Sequence, residues 1–301
     1  MPGWNEVLLE IAGKEPASPL DSVRRKYLQK VATHTKRNVI AYYSGWLTKP
    51  ANVRGLDISD QDMNSFMTTV HKLDRSRGLD LILHTPGGDI AATEAIVNYL
   101  RLMFAGNIRA IVPQLAMSAG TMISCACLEI IMGKQSSLGP IDPQLGGVST
   151  HGVLEEFQTA VQRIKADPSE IPLWQQIIGQ YHPTFLGDCQ NAIAWSKLMV
   201  RDWLTSGMLA GNPNAPAVAD VIVDTLSDHS ATKSHSRHLN PTTLANLGLK
   251  VVALEADPKL QDLVLTTHHA FMHTFANSTS MKIVENQRGG CVVMHLPQQS
   301  R

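Results

Sequence analysis

Residues 79–89 read LDLILHTPGGD, and residues 108–120 read IRAIVPQLAMSAG. Each begins as a short apolar run rich in Leu, Ile and Val, too brief for a helix, and so predicts a buried strand. Each run then breaks into small residues: Thr85-Pro86-Gly87-Gly88 in the first, Ala116-Met117-Ser118-Ala119-Gly120 in the second. A helical pattern follows each turn, Ile90 to Ala105 and Thr121 to about Leu128, and Ile130-Ile131-Met132 predicts a third strand. Two strand–turn–helix units closed by a further strand imply an α/β fold with a mostly parallel sheet and flanking helices. Ligands bind such sheets where strands end and helices begin, and both small-residue turns stand at such ends.

Outward from this centre, Asp21 to Thr33 predicts a helix, Asn38 to Trp46 a strand and Ser59 to Leu73 a second helix. Residues 135–145, QSSLGPIDPQL, are turn-rich. Leu154 to Lys165 predicts a helix, 168–183 a connector, Phe185 to Leu209 a long helix and Val218 to Leu226 another. Asn240-Pro241 marks a helix start, Val251 to Leu254 a late strand, and Pro258 to Phe275 a terminal helix. The last 25 residues are polar and are expected to be loose.

The 301 residues are 44% hydrophobic and 17% charged, which excludes gross disorder. Lys plus Arg equals Asp plus Glu at 26 each, which argues against a general nucleic-acid or anionic-membrane binder. No apolar run is long enough to span a bilayer. The first residues, MPGWNEVLLEIAGKEP, lack the basic start of a secretion signal, so a cytoplasmic location is expected. Cys125, Cys127, Cys189 and Cys291 match neither a zinc nor a thioredoxin spacing and read as reduced thiols. His268, His269 and His273 have no HExxH or cysteine partner; they read as a solvated helix face, with no metal. No cofactor motif is present.

Ser118 stands at a strand end among small residues, which exposes its hydroxyl and offers the next N–H to a developing oxyanion. The plainer role is a helix N-cap. Gly87 and Gly88 permit positive φ and close approach of backbone to a ligand; the plainer role is a tight turn. Thirty residues separate Gly88 from Ser118, and together they supply a nucleophile and two oxyanion donors to one crevice.

At this point the sequence resembles a known family. His84-Thr85-Pro86-Gly87-Gly88, then Met117-Ser118-Ala119-Gly120-Thr121, then Ser137-Leu138-Gly139-Pro140-Ile141-Asp142-Pro143-Gln144 are similar to motifs of the serine dehydrogenase (dehydratase) proteinases. These belong to the Clp-protease/crotonase-like fold, with the Clp proteolytic subunit and signal peptide peptidase A. The resemblance covers about residues 35–255. A catalytic domain is expected at 35–256, with a helical extension at 1–34 and a terminal helix and loose tail at 257–301 outside the resemblance. It implies a serine peptidase with Ser118 as nucleophile and the N–H groups of Gly88 and Ala119 as oxyanion hole. A peptide or unfolded protein would lie extended beside Pro86, Gly87 and Gly88.

The base is left open. Where Clp subunits carry the base histidine, this chain has Asp142. Lys197, in the long helix, matches a lysine of the family's corresponding helix, and desolvation could make it a base as in signal peptide peptidases. Ser234-His235 precedes Leu247-Gly248-Leu249 much as a Thr-His does in the family, near the place of the Clp aspartate. Asp142 and His235 could therefore be an exchanged pair. Lys197 is slightly preferred. The resemblance implies a homo-oligomer with the long helix as an interface element, and the pattern of that helix, with Trp195, Leu198, Met199 and Trp203, is more apolar than one solvated face requires. Two other functions fit the same scaffold: an inactive peptide-binding protein, and an acyl-CoA hydratase or isomerase.

Overall fold

The computed structural model describes Glu10, residues 19–228 and residues 234–297. The first half runs α1 (Pro19–Thr35), β1 (Asn38–Ser44), α2 (Gln61–Val70), β2 (Leu79–His84), α3 (Ile90–Met103), β3 (Ile108–Val112), β4 (Leu115–Ala116), α4 (Ala119–Cys125) and β5 (Glu129–Met132). There follow β6 (Ser137–Leu138), the hairpin β7 (Gln144–Leu145) and β8 (Val148–Ser149), α5 (Thr150–Ala166), α6 (Ile171–Ile178), α7 (Phe185–Ser206) and α8 (Ala215–Ser227). The chain ends with α9 (Pro241–Asn246), β9 (Val251–Ala253), α10 (Pro258–Ala276), β10 (Ser280–Asn286) and β11 (Cys291–His295).

Seven strands form one sheet in the order β11-β10-β1-β2-β3-β5-β9. From β1 to β9 neighbours are parallel; β10 runs antiparallel to both β1 and β11. Because strand side chains alternate between faces, Leu81 and Leu83 of β2 and Ala110 and Val112 of β3 enter one core with Phe66, Ile96 and Val200. Ile82 and Ile111 enter the other, with Val23, Leu28, Phe271 and Phe275 of α1 and α10. The helices before residue 35 and after residue 256 thus close one face of the sheet together, and the boundaries expected there mark no break in the core.

The tail expected to be loose is instead β10 and β11, and β10 is buried throughout. Lys282, Glu285 and Asn286 each meet a buried partner. Glu285 accepts from Arg24 Nε (2.9 Å) and Arg25 Nε (2.7 Å) of α1, Lys282 binds Asp62, and Asn286 Nδ2 donates to Thr69 O (2.6 Å). The connector expected at 168–183 holds α6, started by Pro172 in its first turn. The solvated histidine face is also corrected: α10 packs on the sheet beside α1, so His268 and His273 are buried, with Tyr43 Oη 3.4 Å from His268 Nδ1. Cys125, Cys127 and Cys189 are buried, Cys291 is half-buried, and all four are free thiols.

Candidate active site

A second, smaller set of pairings lies across the carboxyl ends of β2, β3 and β5. Ile58 pairs with Gly88, Thr85 with Ala116, β4 with β6, and Leu138 with Leu239. Gly88 and Ser118 adjoin the first two pairings. The third and fourth carry the 139–143 and 234–240 segments.

At the first pairing Ile58 N–H donates to Gly87 O (2.7 Å) and Asp89 N–H to Ile58 O (2.9 Å). Peptide groups alternate along an extended segment, so the Gly88 N–H lies on the edge away from Ile58. Gly87 has φ +106°, and a Cβ there would come within 2.6 Å of Ser118 Cβ. Glycine at 87 is thus what allows the two turns to touch.

At the second pairing Met117 N–H donates to Thr85 O (3.0 Å), and the chain turns into α4 through Ser118 at φ 50° and ψ −113°. A non-glycine residue in this region is strained and is held by its surroundings. Here Gly87 presses against it, and Thr121 Oγ1 ties the turn to the next segment, accepting from Gly139 N–H at 2.9 Å. The Ser118 hydroxyl makes no capping bond to α4. The plainer role of this serine, an N-cap, is therefore not the one it plays.

Leu138 and Leu239 pair antiparallel, exchanging both hydrogen bonds (3.1 and 2.8 Å). Four residues on from Leu138 is Asp142, and four back from Leu239 is His235, so continuing the register brings these two together. His235 Nδ1 lies 2.8 Å from Asp142 Oδ1. The aspartate is fully buried and the imidazole about one quarter exposed. With Nδ1 engaged, Nε2 is the ring's second nitrogen.

One cavity of about 470 Å³ is lined by Pro86, Gly87, Gly88, Ser118 and His235, with Asp57, Ile90, Met122, Ile141 and Trp195 among its other walls. It can present a hydroxyl, an oriented imidazole and main-chain N–H groups to one bound molecule. Lys197 is not among its lining residues. Ala192 and Trp195 of α7 face the cavity; Lys197 is two residues past Trp195, turned to the other side of the helix. Its Nζ binds Asp224 Oδ1 of α8 at 2.9 Å, with both side chains partly exposed. Leu198 and Trp195 also remain exposed on α7, whereas Met199, Val200 and Trp203 are buried. Sequence reasoning missed Ile58, whose part is played by its backbone and leaves no mark in residue type.

The model of the ClpP-like SDH-type serine proteinases matches residues 9–170. The chain is 35% identical over 113 residues to an uncharacterized protein of Methanocaldococcus jannaschii, covering 38% of each chain. It is 34% identical over 107 residues to a second uncharacterized protein of the same organism, covering 36% of each. The matched stretch is thus little more than a third of either relative. Among the described residues no helix is long and apolar enough to cross a membrane. The family match spans both small-residue turns, with the strained Ser118 in the second of them, and Asp142, and the chain belongs to the ClpP-like SDH-type serine proteinases.

Proposed function

We propose that the chain hydrolyses peptide bonds with Ser118 as nucleophile, His235 as general base, Asp142 as its orienting acid, and the N–H groups of Gly88 and Ala119 as oxyanion hole. The observation that carries this reading is the 2.8 Å contact between His235 and Asp142 at the wall of the cavity that holds Ser118. The lysine alternative loses its support, because Lys197 is engaged with Asp224.

In this mechanism Ser118 Oγ attacks the scissile carbonyl while His235 Nε2 takes its proton. Asp142 accepts from Nδ1–H, which fixes the tautomer and stabilises the imidazolium. The carbonyl oxygen, now negative, is met by the two N–H groups. The imidazolium passes its proton to the leaving amine. Water then attacks the acyl-enzyme, with His235 as base again. The substrate is a peptide or unfolded protein lying extended along the free edge of Gly87 and Gly88, past Pro86. No cofactor is needed.

A fluorophosphonate probe tests the reading, with the labelled residue located by peptide mass spectrometry. Labelling is expected at Ser118, absent in Ser118→Ala, and slowed by about 1000-fold or more in His235→Ala. Labelling that is equally fast in His235→Ala removes the histidine from the mechanism. A wild-type protein that never labels returns the chain to the role of a peptide-binding scaffold.

A further inference from the structure

Lys282 sits in the middle of β10 at 1% exposure. Its ammonium donates to both carboxylate oxygens of Asp62, at 3.0 and 2.9 Å, and to Asp57 O at 2.7 Å. Asp62 is fully buried in the first turn of α2 and accepts further bonds from Tyr42 Oη (3.0 Å) and Ser59 N–H (2.9 Å). Asp57 O and Ser59 N are the backbone groups on either side of Ile58. The pair therefore grips the chain immediately before and after the residue that fixes the outer edge of Gly87–Asp89.

An ion pair is a costly way to fill a core, since an apolar pair of the same volume fills it without desolvating two charges. What it adds is direction. A lysine ammonium has three N–H groups, and here the carboxylate and one main-chain carbonyl engage it, so the position of residue 57 is set relative to β10 and α2. Ile58 itself is 1% exposed and packs in the first core. Its free movement is blocked on the side-chain side by packing and on the backbone side by this network.

We propose that Lys282 and Asp62 are positioning residues for the oxyanion segment: they lock Ile58 in place, and Ile58 in turn sets where the Gly88 N–H points. The catalytic half of this statement rests on the reading of Gly88 as an oxyanion donor. The locking of Ile58 does not. A donor that is misplaced by a fraction of an ångström is felt in the transition state, where charge has developed, more than in substrate binding.

Two measurements on Lys282→Met, on the charge-conserving Lys282→Arg and on the neutral double variant K282M/D62N test the proposal. The double variant is included because Lys282→Met leaves a buried carboxylate that could unfold the chain. Hydrogen exchange is read at the amides of Ile58 and Asp89, with Leu81 and Ile111 of the central strands as reference. Peptide hydrolysis is resolved into kcat and KM. In Lys282→Met and in the double variant, exchange at Ile58 and Asp89 is expected to rise by about 10-fold against the reference amides, as for loss of one net hydrogen bond. In both, kcat is expected to fall by up to about 100-fold with KM within about twofold. Lys282→Arg should recover much of both. A folded variant that keeps full protection at Ile58 and Asp89 overturns the proposal, as does a parallel change in kcat and KM with exchange raised across the whole sheet. Absence of Ser118 labelling in the wild type would sink the peptidase reading alone, and the exchange data would still decide whether the pair locks Ile58.

Discussion

Gly88→Ala attacks the candidate oxyanion segment with one methyl group. A Cβ built on Gly88 stands 2.3 Å from both Ile58 N and Ile58 O, and 2.7 Å from its Cα. Ordinary contact begins at 3.4 Å. The two segments must therefore part by about 1 Å, and because the obstacle is backbone, no rotamer change relieves it. Parting breaks the pairing of Ile58 N–H with Gly87 O (2.7 Å) and of Asp89 N–H with Ile58 O (2.9 Å). At a net 0.5–1.5 kcal/mol each, the loss of stability is about 1–3 kcal/mol. The rate should suffer more. Displacing an oxyanion donor by this distance approaches removal of the donor, which costs about 100- to 1000-fold in kcat. The assay is steady-state cleavage of a quenched fluorescent peptide, with thermal unfolding recorded on the same sample. Loss of kcat at nearly constant KM, in a protein that still unfolds cooperatively, is the expected outcome. Normal kcat with raised KM would refute the reasoning and move Gly88 from catalysis to binding.

Three further outcomes are expected. Asp142→Asn should lower kcat by about 10,000-fold, since the amide cannot hold the imidazole in its working tautomer; a loss of less than tenfold in peptide cleavage would remove Asp142 from the site. Lys197→Met should keep turnover within about twofold and cost less than about 1 kcal/mol in chemical denaturation, as an exposed ion pair does; a dead variant would restore the lysine as base. Burial pushes the His268 imidazole down to about 3, and burial with His268 nearby pushes His84 well below its ordinary value. Both are thus neutral in the folded chain while the unfolded chain protonates them near 6.5, so their contribution is whole above that pH and falls by up to about 1.4 kcal/mol per unit per histidine as pH drops below it. His84→Phe should flatten the acid limb of a plot of Tm against pH, and an unchanged slope between pH 6 and 5 would contradict the burial argument.

The strand–turn–helix centre was legible because its information is local. Apolar runs, their length and the small residues that end them are all within a few positions of one another, and β2, β3, β5, α3 and α4 follow from them. The C-terminal strands were not legible, for the opposite reason. Lys282, Glu285 and Asn286 look like surface residues until Asp62, Arg24 and Thr69 are beside them, and each of those lies more than two hundred positions earlier. Polarity predicts exposure only when no buried partner exists. The same distinction separates the two candidate bases. Lys197 has a fitting residue type and helix, but its orientation depends on helical phase and on Asp224, neither of which residue type discloses.

The pairing of His235 with Asp142 was legible as chemistry and became legible as geometry only through Leu138 and Leu239. An antiparallel pairing relates its two chains reciprocally: the segment leaving Leu138 and the segment entering Leu239 approach the cavity as equivalent neighbours. Their surroundings differ: Asp142 is fully buried, whereas His235 is about one quarter exposed and lines the cavity with Ser118. The pairing thus sets an acid against a histidine, with the histidine on the side of the cavity that Ser118 also lines. In the proposed mechanism that order is the working one, since the imidazole must stand between the carboxylate and the hydroxyl. The requirement on the sequence is that the residue four before Leu239 be a histidine, as His235 is.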